Sequence, residues 1–213
     1  MKSVLISIQP YYVFLIIARL MGWDIVFEKK IEVRKDFPKD FAWNRTVYIY
    51  CSKNRNSFNR IPAQYQPFMA KLLGKVVGKF VCNKIDCYDY DQHIGYPTPT
   101  FDGDVSFCDC GEGYWITAIE FNEICLSYEE LCEYGKSKPL YGWQISDLVI
   151  YDTPKALGEF KLPCQRGYND INNAWCYRER GVRLTMCKYN DMKNSRCNAY
   201  LTRALQSWCY VEE

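Results

Sequence analysis

The chain has 213 residues, of which 48% are apolar, 24% charged and 16% aromatic. That length can bury a core without disulfide or metal staples, and the composition excludes a disordered tail, a collagen-like repeat and a coiled coil. The formal net charge of +2 conceals a basic block, with 13 Lys/Arg against 4 Asp/Glu from Glu28 to Ile85, and an acidic block, with 3 against 15 from Asp86 to Phe160.

The one long apolar stretch, Val4–Trp23, is broken by Gln9, Pro10 and Arg19, which argues against a membrane span. No small-x-small cleavage site follows it, so it does not read as a signal peptide either. The expected location is the cytoplasm, with no membrane partner. Val4–Ile8 predicts a short buried strand. Pro10 stands at the entrance of a helix, where its missing N–H costs nothing, and the apolar run Tyr11–Met21 predicts a buried helix ended by Gly22.

Ile31-Glu32-Val33-Arg34 alternates apolar and charged residues, as a half-buried strand does. On such a strand Lys30, Glu32 and Arg34 share one face, and Lys29 takes the other unless a bulge or turn intervenes. Val47–Cys51 predicts a further strand, Ala63–Leu73 a helix closed by Gly74, and Lys75–Asn83 a strand whose Gly78 signals a bulge or a close backbone approach. Asp86–Gly113, acidic and rich in Tyr, Gly and Pro, predicts a long irregular excursion, and Tyr114–Glu120 reads equally as strand or helix. Ser127-Tyr128-Glu129-Glu130 is a capping box opening a helix that ends at Gly135. Gly142–Tyr151 predicts one strand. Lys161–Ala204 has weak periodicity, and the apolar end Gln206–Tyr210 is expected to dock on the body.

Short strands with interspersed helices make an α+β class. Residues 1–160 are expected to form one small, partly closed mixed β-barrel flanked by helices. Residues 161–213 are expected to be an irregular, cysteine-containing extension packed on it. Twelve cysteines in a cytoplasmic chain read as reduced thiols. Cys82, Cys87, Cys108 and Cys110 could supply four thiolates, but neither they nor the cysteines from Cys164 to Cys209 show two short paired spacings, so no metal and no cofactor is expected. His93, the single histidine, sits in the acidic excursion and reads as an exposed loop residue.

Lys29, Glu32 and Arg34 lie within six residues of one another. In a cleft, a Lys beside a Glu can do acid–base work and an Arg can clamp a phosphate; on an open strand face the three are simply solvated. Tyr48, Tyr50, Tyr141 and Trp143 can stack on a base or fill a core. The basic block, with Lys35 and Lys53, suits a polyanion; alternatively the basic and acidic blocks face each other.

Three segments resemble the ASCH family, within the PUA-like superfamily. They are Ser3–Pro10 with its apolar helix, Glu28–Lys35, similar to the pattern Gly-x-Lys-x-x-Glu-x-Arg, and Lys75–Phe80. Pro139–Leu148, with Tyr151 and Pro154, and the C-terminal Gln206–Glu212 resemble a phage and gut-bacterial subgroup. Phe27 stands at the pattern's Gly position. The resemblance implies a fold shared with RNA-binding PUA domains and a cleft beside the signature strand. From it we expect an RNA- or nucleotide-binding module whose cleft is lined by Lys29, Glu32 and Arg34; the basic block adds Lys35 and Lys53, and the strand aromatics add Tyr50, as further candidate contacts. One branch of the family hydrolyses N4-acetylcytidine with a Lys, a Thr and a Glu; here the first corresponds to Lys29, the second to Glu32, and the third falls near Glu123. The alternative is therefore a small metal-free hydrolase, an acylated-nucleoside amidohydrolase or a ribonuclease, using Lys29 with Glu32 or Glu123. A third reading gives the C-terminal extension a host protein as partner.

Overall fold

The computed structural model describes residues 3–38, 44–88, 122–136, 138–162, 166–168, 174–176, 182–183, 190–191, 196–197, 201 and 207–211. Most of the acidic excursion, His93, the segment Tyr114–Glu120 and Cys108, Cys110, Cys164 and Cys187 lie outside them. No helix among the described residues is long and apolar enough to cross a membrane.

The chain opens with β1 (Ser3–Ile8), then α1 (Pro10–Ile17), β2 (Ile31–Arg34), β3 (Arg45–Cys51), the short helices α2 (Arg55–Phe58) and α3 (Gln66–Ala70), β4 (Val76–Cys82) and β5 (Ile85–Tyr88). After these come α4 (Tyr128–Gly135), β6 (Leu140–Gln144), β7 (Ser146–Lys155) and the short strands β8 (Arg166–Tyr168), β9 (Ala174–Cys176), β10 (Val182–Arg183), β11 (Asn190–Asp191) and β12 (Arg196–Cys197). The last element is β13 (Trp208–Val211). The class is α+β.

A five-stranded sheet runs β13-β1-β3-β4-β7, and a three-stranded sheet runs β2-β6-β5. β1 and β3 pair in parallel, Val4 opposite Val47, because the connection between them carries α1 and β2; the remaining neighbours in the two sheets are antiparallel. Period-two alternation gives the larger sheet two apolar faces. Val4, Ile6, Ile8, Val47, Ile49 and Cys51 pack with α1 on one face, and Leu5, Tyr48, Tyr50 and Val76 pack with Phe160 and Leu201 on the other. The C-terminal strand β13 pairs antiparallel with β1 and adds Cys209 and Val211 to that second cluster.

Pro10 does open α1, but regular helix stops at Ile17, and the rest of the expected helix is turn up to Gly22, whose φ of +65° suits a residue without Cβ. The helix expected over Ala63–Leu73 is likewise reduced to α3 within turns. Trp23 lies against Phe14 and Tyr65 with ring centroids 5.4 and 4.7 Å away, contacts worth about 0.5–1.5 kcal/mol each beyond area burial. They return the chain from α1 towards β2.

The strand expected over Gly142–Tyr151 is two strands in two sheets. β6 ends at Gln144 in the small sheet, and β7 starts at Ser146 in the large one. Asp147 takes a φ of +46° just after the crossing. β4 and β5 make the same passage side by side, and Ser146 Oγ donating to the Val81 carbonyl at 2.7 Å ties the corner. This corner joins the β2-β6-β5 sheet, which carries the site on β2, to the larger sheet.

Candidate functional site

β2 is buried at all four positions rather than half-buried. Ile31 and Val33 face Leu131 of α4, with Tyr88 and Leu140, so Glu32 and Arg34 point to the opposite face. There they meet the N-terminal half of α1 and the end of β1. Arg34 Nη2 donates to Glu32 Oε1 at 3.0 Å and to the Ser7 carbonyl at 2.6 Å. Arg34 Nε has no hydrogen-bond partner among the described residues.

Lys29 joins them, as an irregular stretch before the strand allows, whereas Lys30, expected on their face by strand parity, does not. Regular strand begins only at Ile31, so alternation does not extend back to residues 28–30. The Lys29 N–H donates to the Leu15 carbonyl, and its ammonium donates to the Ile124 carbonyl and lies 3.6 Å from Glu32 Oε2. Lys30 turns outward to Glu123 at 3.2 Å. Burial lowers the Lys29 pKa below the ordinary lysine value, with the Glu32 charge opposing the shift. The ring of Tyr12 lies 5.1 Å from the Lys29 ammonium, and burial raises the Tyr12 phenol above its usual value.

These groups line a cavity of about 440 Å³, within the range of small-molecule sites. Its wall includes Ser7, Tyr12, Lys29, Glu32, Arg34 and Lys35, and α4 contributes Glu130, Glu133 and Tyr134. Lys35 is exposed at the cavity with its ammonium 4.7 Å from the Tyr134 ring. The other expected site residues lie outside the cavity lining. Glu123 is paired with Lys30. Tyr50 is packed in the cluster on the far face of the large sheet, because its position in β3 alternates with Ile49. Lys53 is exposed and lies across Gly74. Trp143 and Tyr48 are core residues.

Sequence reasoning missed Tyr12 and the α4 residues. The capping box that starts α4 is present as expected: Ser127 Oγ accepts from the Glu130 N–H, and Glu130 Oε2 accepts from the Ser127 N–H. The missing signal was which helix lies opposite β2.

The basic block is mostly exposed, but Lys29, Arg34 and Arg45 are buried. It also meets the acidic block directly: Lys30 pairs with Glu123, Arg60 with Glu130 and Lys84 with Asp86. Cys51, Cys82, Cys87, Cys125, Cys132 and Cys209 are free thiols. Among the described residues no group of three His, Cys, Asp or Glu is placed to hold a metal.

The fold is similar to crystal structures of ASCH from Zymomonas mobilis. The unsubstituted protein is 15% identical at a TM-score of 0.42, with 73% of this chain and 74% of that chain covered. A Tyr-to-Phe variant is 14% identical at 0.44, covering 74% and 77%. A Ser-to-Ala variant is 15% identical at 0.43, covering 73% and 75%. No protein-family model and no curated protein matches the chain.

Proposed function

We propose that this chain is an RNA- or nucleotide-binding module of the ASCH, PUA-like type, and that a nucleotide-sized part of the ligand enters the cavity beside β2. The observation that carries the reading is the convergence of Lys29, Glu32 and Arg34, all buried, on one concave wall. Three buried charges are expensive to keep, and a chain that only needed a core could fill these positions with apolar residues. Arg34 supplies planar donors for a phosphate or a carbonyl edge, Glu32 accepts from an exocyclic amine or a sugar hydroxyl, and Tyr12 and Tyr134 offer aromatic faces to a base. The test is titration of single-stranded RNA and of mononucleotides at low salt into the wild-type chain and into Arg34→Lys, which keeps the charge and loses the fork. A clear loss of affinity in a folded variant supports the reading; unchanged affinity removes Arg34 from it.

The hydrolase reading is favoured by a different observation, the full burial of the Lys29 ammonium with its lowered proton affinity. A buried lysine beside a carboxylate can act as nucleophile or base once deprotonated, with Glu32, 3.6 Å away, as proton partner; Glu123 faces Lys30 instead. Turnover of an acylated nucleoside that disappears in Lys29→Met, while the variant stays folded, would establish it.

A further inference from the structure

A second cavity, of about 750 Å³, adjoins the first. The two share Leu126 as a common wall. Their remaining partition is thin. Tyr11 faces the second cavity and Tyr12 the first, with ring centroids 5.6 Å apart. Arg60 lines the second and Glu130 the first, and their side chains meet at 3.2 Å.

The second cavity differs in chemistry from the first. Its walls are largely aromatic and aliphatic, among them Tyr11, Phe14, Phe27 and Pro62, with Asp24, Arg60, Asn122 and Ser127 among the polar groups. Phe27 is 53% exposed, an uncovered aromatic ring at the cavity edge. Aromatic walls with a few hydrogen-bonding groups are what an unstacked base requires. The guanidinium of Arg60 lies 4.2 Å from the Tyr11 ring and donates to the Tyr12 hydroxyl at 3.4 Å. It is thus held at the boundary between the two cavities.

We infer that the two cavities together hold two consecutive nucleotides of single-stranded RNA, one base in each, with the bridging phosphodiester at Arg60. The inference rests on the nucleotide-binding reading and adds to it a second base site and a phosphate contact. The Arg60–Glu130 pair is half-exposed, and such pairs are weak, so a phosphate can replace Glu130 as the partner of Arg60. Glu130 then keeps its place in the capping box, through Oε2 and the Ser127 N–H, so α4 is undisturbed. The pair closes the partition in the free protein and is exchanged for the phosphate in the complex.

The test is calorimetric titration at low salt with AMP, UMP, pApA and pUpU. The expected result is at least tenfold tighter binding of a dinucleotide than of its mononucleotide. Phe27→Ala, with its fold checked by circular dichroism, should remove that gain. Arg60→Ala should cost the dinucleotide about tenfold and flatten its salt dependence. Equal affinities for mono- and dinucleotides, or a gain that survives both substitutions, would overturn the two-site inference while leaving the first cavity intact. Failure of all four ligands to bind the folded wild-type chain would remove the nucleotide-binding reading and this inference with it.

Discussion

The Lys29 ammonium stands 3.6 Å from the Glu32 carboxylate, with each side chain more than nine-tenths buried. Glu32 is the shared anion of the site, because its other oxygen holds Arg34 at 3.0 Å. Removing it leaves two buried cations with no counter-charge between them. Glu32→Gln should therefore cost about 3 kcal/mol or more of stability. Lys29→Met, which leaves the Glu32–Arg34 pair and fills the space with an apolar chain, should cost clearly less. Urea unfolding of both variants measures the order; an equal or reversed order contradicts the shared-anion arrangement.

Burial sets an alkaline limit on stability. It pushes the thiols of Cys51 and Cys82 to about 12 and that of Cys209 to about 11, from an ordinary value of 9.0. In the unfolded chain these thiols lose their protons first, so their contribution is fully present below pH 9 and is lost between pH 9 and about 12. Lys29 has the opposite sign. Its folded pKa lies below 10.5, so the unfolded chain holds that proton to higher pH, and the burial penalty is relieved as pH rises towards 10.5. Three thiols outweigh one ammonium, and the urea midpoint should fall above pH 9. The fall should be shallower in Cys51→Ala and steeper in Lys29→Met.

Gly78 is required by the approach of β7. A Cβ there would lie 2.3 Å from the Val149 carbonyl oxygen, a backbone atom that cannot swing away. Gly78→Ala should cost at least about 1–3 kcal/mol, read as a lowered unfolding midpoint with the m-value unchanged. A neutral substitution would mean that β4 and β7 separate without penalty.

Gly78 also shows what was legible in the sequence. A glycine inside an apolar strand pattern has a local meaning, and so do Pro10 at a helix start and the Ser127–Glu130 capping box; each is a short-range rule, and each holds in the structure. The misreadings are at longer range or beyond an element's end. Gly142–Tyr151 reads as one strand because nothing local marks the change of sheet after Gln144. For Lys29 strand parity leaves the side open, because the alternation holds only from Ile31, where the strand begins, and the irregular backbone before it brings Lys29 to the face of Glu32. Tyr50 and Lys53 were candidates by residue type alone, and only the packing of β3 and the turn at Gly74 show that they face away from the cavity. Glu32 and Arg34 were placed on one face correctly, since two residues inside one strand obey the alternation.

The two basic candidates outside β2 separate a footprint at the cavity from a diffuse basic surface. Single-stranded RNA affinity should fall linearly in log–log form with salt, by about 0.7 per phosphate contacted. Charge reversal at Lys35, on the cavity wall, should weaken binding and reduce that slope. Reversal at Lys53, across Gly74, should leave both nearly unchanged. Equal effects at the two positions would indicate a nonspecific basic surface.

The most direct measurement is photocrosslinking of 4-thiouridine monophosphate to the chain, with the adducts mapped by mass spectrometry. Binding in the β2 cavity predicts adducts on its wall, foremost Tyr12, Lys29, Lys35 and Tyr134, competed by excess UMP and lost in Arg34→Lys. Adducts confined to exposed residues away from that wall, such as Lys53, Arg55 and Lys71, would contradict it.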